Sequence, residues 1–292
     1  MRPVIELKNE MVFNREMSEL LDILKRTAIA QFQSVFSRRK LMAPTEKYFS
    51  GLGTFFEIID WKQIKHPFLN NPSNQVLLII VTSDTGFLGG LNTYIIETAL
   101  AQIRRGDKTH VLVVGEKGRD YLEDLNKEFT FLPGITDEIT HSEITRLAKY
   151  ILGLCLYHRT GRVVITYPKF FSFAHQEPES MQLLPYTGKN AELLGKVIYE
   201  PFADKVVDYL LRKWLLYKVQ EVCWSSKLSE LSARAMHLEG SLRELQDMKK
   251  GIELQYFRSK HEVTDRMIRD IFGGWLASKR RLTIFERLTN DK

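Results

Sequence analysis

Residues 228–245 read LSELSARAMHLEGSLREL, and this stretch carries the most regular pattern of apolar residues in the chain. Apolar side chains recur in it at alternating steps of three and four residues, the heptad pattern of a coiled-coil helix. Beyond residue 245 the apolar positions are expected to change phase, as at a stutter, which locally unwinds a supercoil. The heptad positions are Leu228, Leu231, Ala235, Leu238, Leu242 and Leu245, and the shifted ones are Met248, Ile252, Tyr256, Val263, Met267 and Ile271.

A helix with this seam needs a second helix to cover it. No proline interrupts residues 203–278, so one continuous helix of roughly 110 Å is predicted there. The other long helical pattern is residues 4–57, in which Pro44 is expected to kink or break the helix. We therefore predict that the two ends of the chain pair as an antiparallel coiled coil. The predicted apolar stripe of the N-terminal helix is Phe13, Met17, Leu20, Leu24, Ala28 and Phe32.

The residues between the two helices predict an α/β layer. Short β-branched apolar runs at 75–82, 110–115 and 162–167 are typical of strands buried on both faces. Helical patterns at 90–105, 116–126 and 138–158 alternate with them, which favours a parallel, Rossmann-like sheet. Residues 197–202 are a candidate last strand. The predicted segments are an N-terminal helix at 1–60, a central α/β domain at 61–202 and a C-terminal helix with a basic tail at 203–292.

Composition excludes several classes of protein. The 292 residues are 44% apolar and carry a net charge of +6, as in an ordinary globular protein. Cys155 and Cys223 lie too far apart for a disulfide framework or a cysteine zinc site, and a reducing compartment is expected. No secretory signal or membrane-spanning run is recognised. The histidines lack metal-ligand spacing and no nucleophile motif occurs, so no catalytic, cofactor or metal site is predicted.

The turn SDTGFLGGLN, residues 83–92, follows the first predicted strand and is the strongest candidate for a binding loop. A phosphate loop would stand at this place, but the spacing here is GxxGG rather than GxGxxG, and no Lys follows as in a P-loop. We favour a tight structural turn in which Ser83 or Asp84 caps backbone groups. A nucleotide-binding enzyme at 75–200 remains the alternative.

Three segments resemble the gamma subunit of F-type ATP synthases. The turn is similar to the family's SDRGLCGGFN, with Thr85 in place of the basic residue and Leu88 in place of Cys; the matching residues are Ser83, Asp84, Gly86, Gly89, Gly90 and Asn92. Residues 167–185 resemble the family's YNKF and LLP stretch. YEP at 199–201, SELSARAM at 229–236 and IFGG at 271–274 resemble its C-terminal helix. The N-terminal match is reduced to residues 20–31, and KHEVTD at 260–265 departs from the family's RQAAIT.

The resemblance implies a central-stalk rotor that binds no nucleotide and needs no cofactor. Its coiled coil would stand inside a hexamer of alpha and beta subunits, and its α/β domain would contact the membrane c-ring beside an epsilon-type subunit. It would be peripheral, on the cytoplasmic face of a bacterial membrane or the equivalent face of an organelle inner membrane. A non-rotary coiled-coil adaptor is a further alternative. The residues expected to contact partners are Lys25, Glu230, Arg234, Arg258, Lys260, His261, Asp265 and Arg266.

Overall fold

A computed structural model describes residues 2–41, 73–104, 106–185, 200 and 202–290. The chain divides into two compact units, residues 1–24 with 239–292, and residues 25–238. The three-segment division of the chain given above stays a prediction. In chain order the elements are α1 (Val4–Leu41), β1 (Gln75–Val81), α2 (Leu91–Leu100), β2 (Lys108–Val114), α3 (Glu116–Asp124), β3 (Thr130–Leu132), α4 (His141–Tyr157), β4 (Arg162–Ser172), β5 (His175–Leu184) and α5 (Ala203–Asn290).

The unit formed by residues 25–238 contains a five-stranded sheet in the order β3-β2-β1-β4-β5. The three predicted strands are present as β1, β2 and β4, and β3 and β5 were missed. The expectation of a parallel sheet is corrected to a mixed one, because β5 runs antiparallel to β4. A tight turn joins these two strands, and in it the Gln176 side-chain amide donates to the carbonyls of Ser172 and Phe173 at 3.0 and 2.7 Å. The candidate strand at 197–202 falls outside the described residues except for Glu200 and Phe202, neither of which is in a strand.

Alternate side chains of β1 enter two apolar layers, one on each face of the sheet. Leu77, Ile79 and Val81 face a layer built with α4 and the first part of α5. Leu78 and Ile80 face a layer built with α2 and α3. Both faces are covered, which is the reason that the strands are continuous apolar runs.

Helix α1 buries one side chain in every seven: Leu7, Asn14, Leu21, Ala28 and Val35. The predicted stripe is therefore wrong in part. Ala28 is buried and Met17 and Phe32 are half-buried, but Phe13, Leu20 and Leu24 are exposed. The predicted stripe advanced mostly by four residues and so drifted around the helix, whereas the real seam keeps the 3.5-residue period of a coiled coil.

The heptad seam predicted for α5 is confirmed, with residues 228–242 of that seam buried and Leu245 half-buried. The predicted phase shift is wrong, because the seam continues at seven-residue steps through Ile252 and Ser259. Of the positions predicted after the shift, Ile252 is buried and Tyr256 half-buried, and both keep the original seven-residue spacing. The others, Met248, Val263, Met267 and Ile271, are exposed. The prediction followed the large apolar side chains and passed over a small polar one, Ser259, which is the residue that keeps the spacing.

The two seams meet as an antiparallel coiled coil. In the unit of residues 25–238, Val35 packs with Trp224, Leu228 and Leu231. In the other unit, Leu7 and Ser259 line the same cavity, and the Ser259 hydroxyl donates to the Arg2 carbonyl at 3.2 Å. Counting seven-residue steps from Leu7 and Ser259 in opposite directions, we expect Asn14 to face Ile252 and Leu21 to face Leu245.

No helix in the described parts of the chain has an apolar stretch long enough to cross a membrane.

Asn14 is a polar residue in this otherwise largely apolar seam, and it destabilises the coiled coil. It is 4% exposed, and its Oδ1 has no hydrogen-bond partner among the described residues. An unpaired buried polar atom costs about 1–3 kcal/mol, so we expect Asn14→Leu to raise the free energy of unfolding by about 1 kcal/mol. Urea denaturation measures this, with the exposed Asn9→Leu as the control that should change little. A decrease for Asn14→Leu would show that the amide is satisfied.

A pair of histidines gives the α/β layer a dependence on pH. The rings of His110 and His158 stack with centroids 3.7 Å apart, and His110 Nε2 lies 3.1 Å from Gln75 Oε1. Burial, and then the charge of His158, lower the pKa of His110 below its usual value. The folded protein therefore favours neutral His110.

The pKa of His110 is lower in the folded protein than in the unfolded chain, where it is about 6.5. At pH values just below 6.5 the unfolded chain therefore binds more protons than the folded protein. The stability contributed by neutral His110 is present above that pH and is lost as the pH falls through the lower folded pKa. We expect the melting temperature of His110→Gln to decrease less than that of the wild type between pH 7.5 and pH 5. The exposed His175→Gln is the control, and equal decreases in all three proteins would exclude His110 as the cause.

Candidate functional site

The turn that follows β1 is held by its own polar side chains. The Asn92 side-chain amide donates to Ser83 Oγ at 2.9 Å, and Ser83 Oγ donates to the Thr85 carbonyl at 2.7 Å. Asp84 Oδ1 accepts from the backbone N–H groups of Glu116 and Gly134 at 3.0 and 2.9 Å. A side chain on Gly134 would collide with Asp84, because its Cβ would lie 2.5 Å from Oδ1. Asp84 thus connects the turn to two other segments at the carboxyl ends of the strands, the start of α3 after β2 and the loop after β3.

Gly89 and Gly90 bring this turn close to its neighbours. Gly89 has a φ of +60°, which glycine adopts without strain, and an added Cβ there would lie 3.7 Å from His237 Nδ1 on α5. At Gly90 an added Cβ would lie 3.0 Å from the Tyr94 ring. A Cβ added at Gly86 would meet no atom within 4 Å, so the surrounding space does not require glycine at this position. These glycines shape a turn that packs on a helix.

The sheet reverses its strand order between β1 and β4, the position at which open α/β sheets bind ligands. Here that crevice is a cavity of about 10 Å³, lined by Thr82, Ser83, Asn92, Pro168 and Glu230, among other residues. Such a volume accommodates about one water molecule. Helix α5 packs over the crevice, so this cavity has no room for a nucleotide.

The segment of α5 that covers this crevice, residues 225–234, is polar and yet buried. Every residue from 222 to 233 is buried. Burying polar groups is costly unless they form hydrogen bonds, and two serines of the segment bond to β4. Ser225 Oγ accepts from Phe170 N at 2.9 Å, and Ser229 Oγ donates to the Pro168 carbonyl at 3.0 Å.

An ion cluster completes the segment. Its centre is Glu230, whose carboxylate lies 3.2 Å from Lys227 Nζ and 2.7 Å from Arg234 Nη2. Lys227 Nζ also contacts Asp137 Oδ1 at 2.7 Å and the Ile135 carbonyl at 3.2 Å. The exposed fractions of the Lys227, Glu230 and Arg234 side chains are only 6, 11 and 15%. The cluster is thus a network of alternating charges in which the three residues of α5 are nearly buried and Asp137 is half-exposed.

Arg234 connects the cluster to the turn after β1. Its Nε donates to the Gly86 carbonyl at 3.3 Å, and its Nη2 contacts Thr85 Oγ1. Sequence reasoning singled out Glu230 and Arg234 as partner contacts, whereas the structure has them bonded within the chain. It missed Lys227 and Asp137. The sequence did contain a sign of this ion cluster. Cations stand three residues before and four residues after Glu230, and residues at these spacings form ion pairs on a helix.

The other residues predicted to contact partners lie elsewhere. Lys25 is a half-buried residue of α1. Arg258, Lys260, His261, Asp265 and Arg266 are exposed on α5 in the unit formed by residues 1–24 and 239–292. The structure therefore separates the predicted set into a buried group around Glu230 and an exposed group between 258 and 266.

The exposed group adjoins an apolar surface. Helix α5 continues past Ser259, which faces the first residues of α1, and large apolar side chains from there on are exposed by 45–67%. They are Val263, Met267, Ile268, Ile271, Phe272, Trp275 and Leu276. Exposed apolar surface of this extent, rimmed by charges, is typical of a surface that binds another protein.

Both cysteines belong to the core. Cys155 on α4 and Cys223 on α5 are buried free thiols. Burial raises the pKa of Cys155 to about 11 and that of Cys223 to about 12. A thiol reacts as its thiolate, so neither residue is placed as a nucleophile.

Comparison with known proteins agrees with this arrangement. The family profile described as "ATP synthase" matches residues 28–277. The chain is 30% identical over 209 residues to the ATP synthase gamma chain of Clostridium beijerinckii, covering 71% of this chain and 74% of that protein. It is 26% identical over 270 residues to the gamma chain of Clostridium botulinum strain Loch Maree, covering 89% and 95%.

Solved structures with the same fold come from mitochondrial ATP synthases. A chain of the Euglena gracilis ATP synthase rotor in rotational state 1 superposes with a TM-score of 0.65 at 15% identity, covering 89% of this chain and 98% of that one. A chain of the Euglena gracilis OSCP/F1/c-ring assembly in state 3 superposes with a TM-score of 0.70 at 16% identity, covering 94% of each. The family profile matches most of the sequence, including α5 through Ala277, and the Clostridium relatives are gamma chains, so the chain belongs to the gamma-subunit family of ATP synthases.

Proposed function

We propose that the chain is the central-stalk rotor subunit of an F-type ATP synthase, coupling rotation of a membrane ring to catalysis in a hexamer of alpha and beta subunits. The observation that carries the proposal is that the family match extends over the last part of α1, the whole α/β layer and α5 as far as residue 277. A rotor needs both parts, one to stand among the catalytic subunits and one to be turned by the membrane ring.

The rotor would act without catalysing a reaction itself. Each catalytic subunit changes between conformations, and a partner shifts that equilibrium only by contacting the conformations differently. An asymmetric pair of helices presents a different surface to each of three surrounding sites. Rotation then moves every site through the same series of contacts, so that the three sites bind and release nucleotide in turn.

The far end of α5 is the surface that suits the catalytic hexamer. Its exposed apolar side chains between 263 and 276 need a partner surface, and the adjacent Arg258, Lys260 and Arg266 favour acidic groups on that partner. His261 and Asp265 lie on the same exposed stretch and are further contact candidates. Lys25 on α1 is proposed as a contact as well.

The α/β unit is proposed to bind the c-ring and an epsilon-type subunit. Membrane association would then be indirect, on the cytoplasmic face of a bacterial membrane or the equivalent face of an organelle inner membrane. In this assembly the catalytic sites belong to the hexamer, and the gamma-family chain contributes neither nucleotide-binding groups nor a cofactor.

Rotation of a single complex tests the proposal. The chain would be assembled with alpha and beta subunits of the same organism, the hexamer fixed to a surface, and a bead attached through Tyr157→Cys, a position 82% exposed. We expect ATP to drive rotation of the bead in one direction. An adaptor would form no stable complex, and an enzyme of the dinucleotide class would show saturable dinucleotide binding by the chain alone; either result would contradict the proposal.

Charge reversal tests the proposed contact surface. A single exposed ion pair contributes about 1 kcal/mol or less, so Lys260→Glu is expected to weaken binding of the chain to the alpha–beta hexamer by up to about fivefold. The loss should shrink as salt screens the interaction. Lys250→Glu, which changes an exposed cation paired with Asp247 on the same helix, is the matched control. Equal losses for the two variants would mean that position 260 has no specific partner.

A further inference from the structure

The buried segment 225–234 of α5 is bonded to three separate parts of the α/β layer. Two of its serines, Ser225 and Ser229, bond to β4 at Phe170 and Pro168. Lys227 reaches the loop that precedes α4, at Ile135 and Asp137. Arg234 reaches the turn after β1, at Thr85 and Gly86. Each of these contacts lies within the unit of residues 25–238.

The Glu230 carboxylate orients the two long side chains that make these contacts, Lys227 and Arg234. Glu230 stands three residues after Lys227 and four before Arg234, and it accepts from both cations at 2.7–3.3 Å. Lys and Arg side chains have many rotamers, so an unpartnered cation would sample several directions. With Glu230 between them, each cation is fixed toward its own loop.

These contacts differ in kind from the surrounding apolar packing. Apolar burial is non-directional, and it resists separation of two surfaces better than it resists a small rotation of a helix about its own axis. A charge-assisted hydrogen bond is directional and short. The two serines and the two cations project from opposite sides of α5, and a helix bonded in this way on two sides is held in its angle as well as in its position.

We infer that Glu230 is a positioning residue for torque transmission: by orienting Lys227 and Arg234 toward two different loops, it fixes the angle of α5 within the α/β layer. This inference rests on the proposed rotor function. The carboxylate touches no substrate, and its effect passes through the two cations. Removing its charge should soften the joint between α5 and the layer and leave the catalytic hexamer unchanged.

The bead assay measures this joint directly. A bead on Tyr157→Cys reports the angle of the α/β layer relative to the fixed hexamer, and its thermal fluctuation at each pause gives the torsional stiffness. In Glu230→Gln we expect the angular variance to rise at least twofold. The rate of ATP hydrolysis without a bead should stay within about twofold of the wild type, since the change is outside the catalytic subunits.

Two further variants make the result decisive. Glu239→Gln removes a carboxylate from a more exposed i,i+4 pair with Arg243 on the same helix, and its variance should equal that of the wild type. Arg234→Lys keeps the positive charge but loses the planar fork that contacts Glu230 and the turn together, and its variance should also rise. If the Glu230→Gln variant does not assemble with the hexamer, the angular variance of Arg234→Lys relative to the wild type is the test of the inference.

The experiment distinguishes a failure of the proposed rotor function from a failure of the role inferred for Glu230. A wild-type complex that assembles but does not rotate would contradict the rotor function. Rotation in the wild type with equal variance in Glu230→Gln, or in Arg234→Lys where that variant decides, would overturn only the role of Glu230. An equal rise in Glu239→Gln would overturn it too, since the effect would then be general to charge changes on α5.

Discussion

The structure depends on one constraint, that α1 and α5 must bring a side chain into the shared seam at every seventh position. A straight helix with 3.6 residues per turn drifts away from such a spacing, so two helices that keep it must wind about each other. The seam tolerates polar side chains such as Asn14 and Ser259 as long as the spacing is kept. The position of a residue in the heptad therefore matters more for the seam than the hydrophobicity of any one side chain.

Fold class could be read from the sequence because the strands and α5 have strong, regular patterns. Buried parallel strands such as β1 are uninterrupted apolar runs, and the α5 seam between Leu228 and Leu245 is unbroken. The α1 seam was misread because exposed Phe13, Leu20 and Leu24 outnumber the apolar residues that are buried near them. Strand β5 was missed because HQEPESMQLL is mostly polar and half-exposed, so its pairing with β4 leaves little periodic signal.

The polar segment of α5 was predicted least well. A helix pattern of SSKLSELSAR suggests a solvent-facing surface between seam positions, and the charged residues were accordingly assigned to partners. In the fold, the sheet and its loops surround the helix on the sides that a two-stranded coil would leave open. Such burial cannot be read from local periodicity, because it depends on β4, the turn at 83–92 and the loop at 133–140 converging on the same stretch of helix.

The burial of both cysteines has a practical consequence for chemistry on this protein. Their thiols are shielded by core packing and remain protonated at neutral pH, and alkylating or maleimide reagents require an accessible thiolate. A single cysteine introduced on the surface would then be modified selectively in the natural background. The native chain can thus carry fluorophores or spin labels without prior removal of its own sulfhydryl groups.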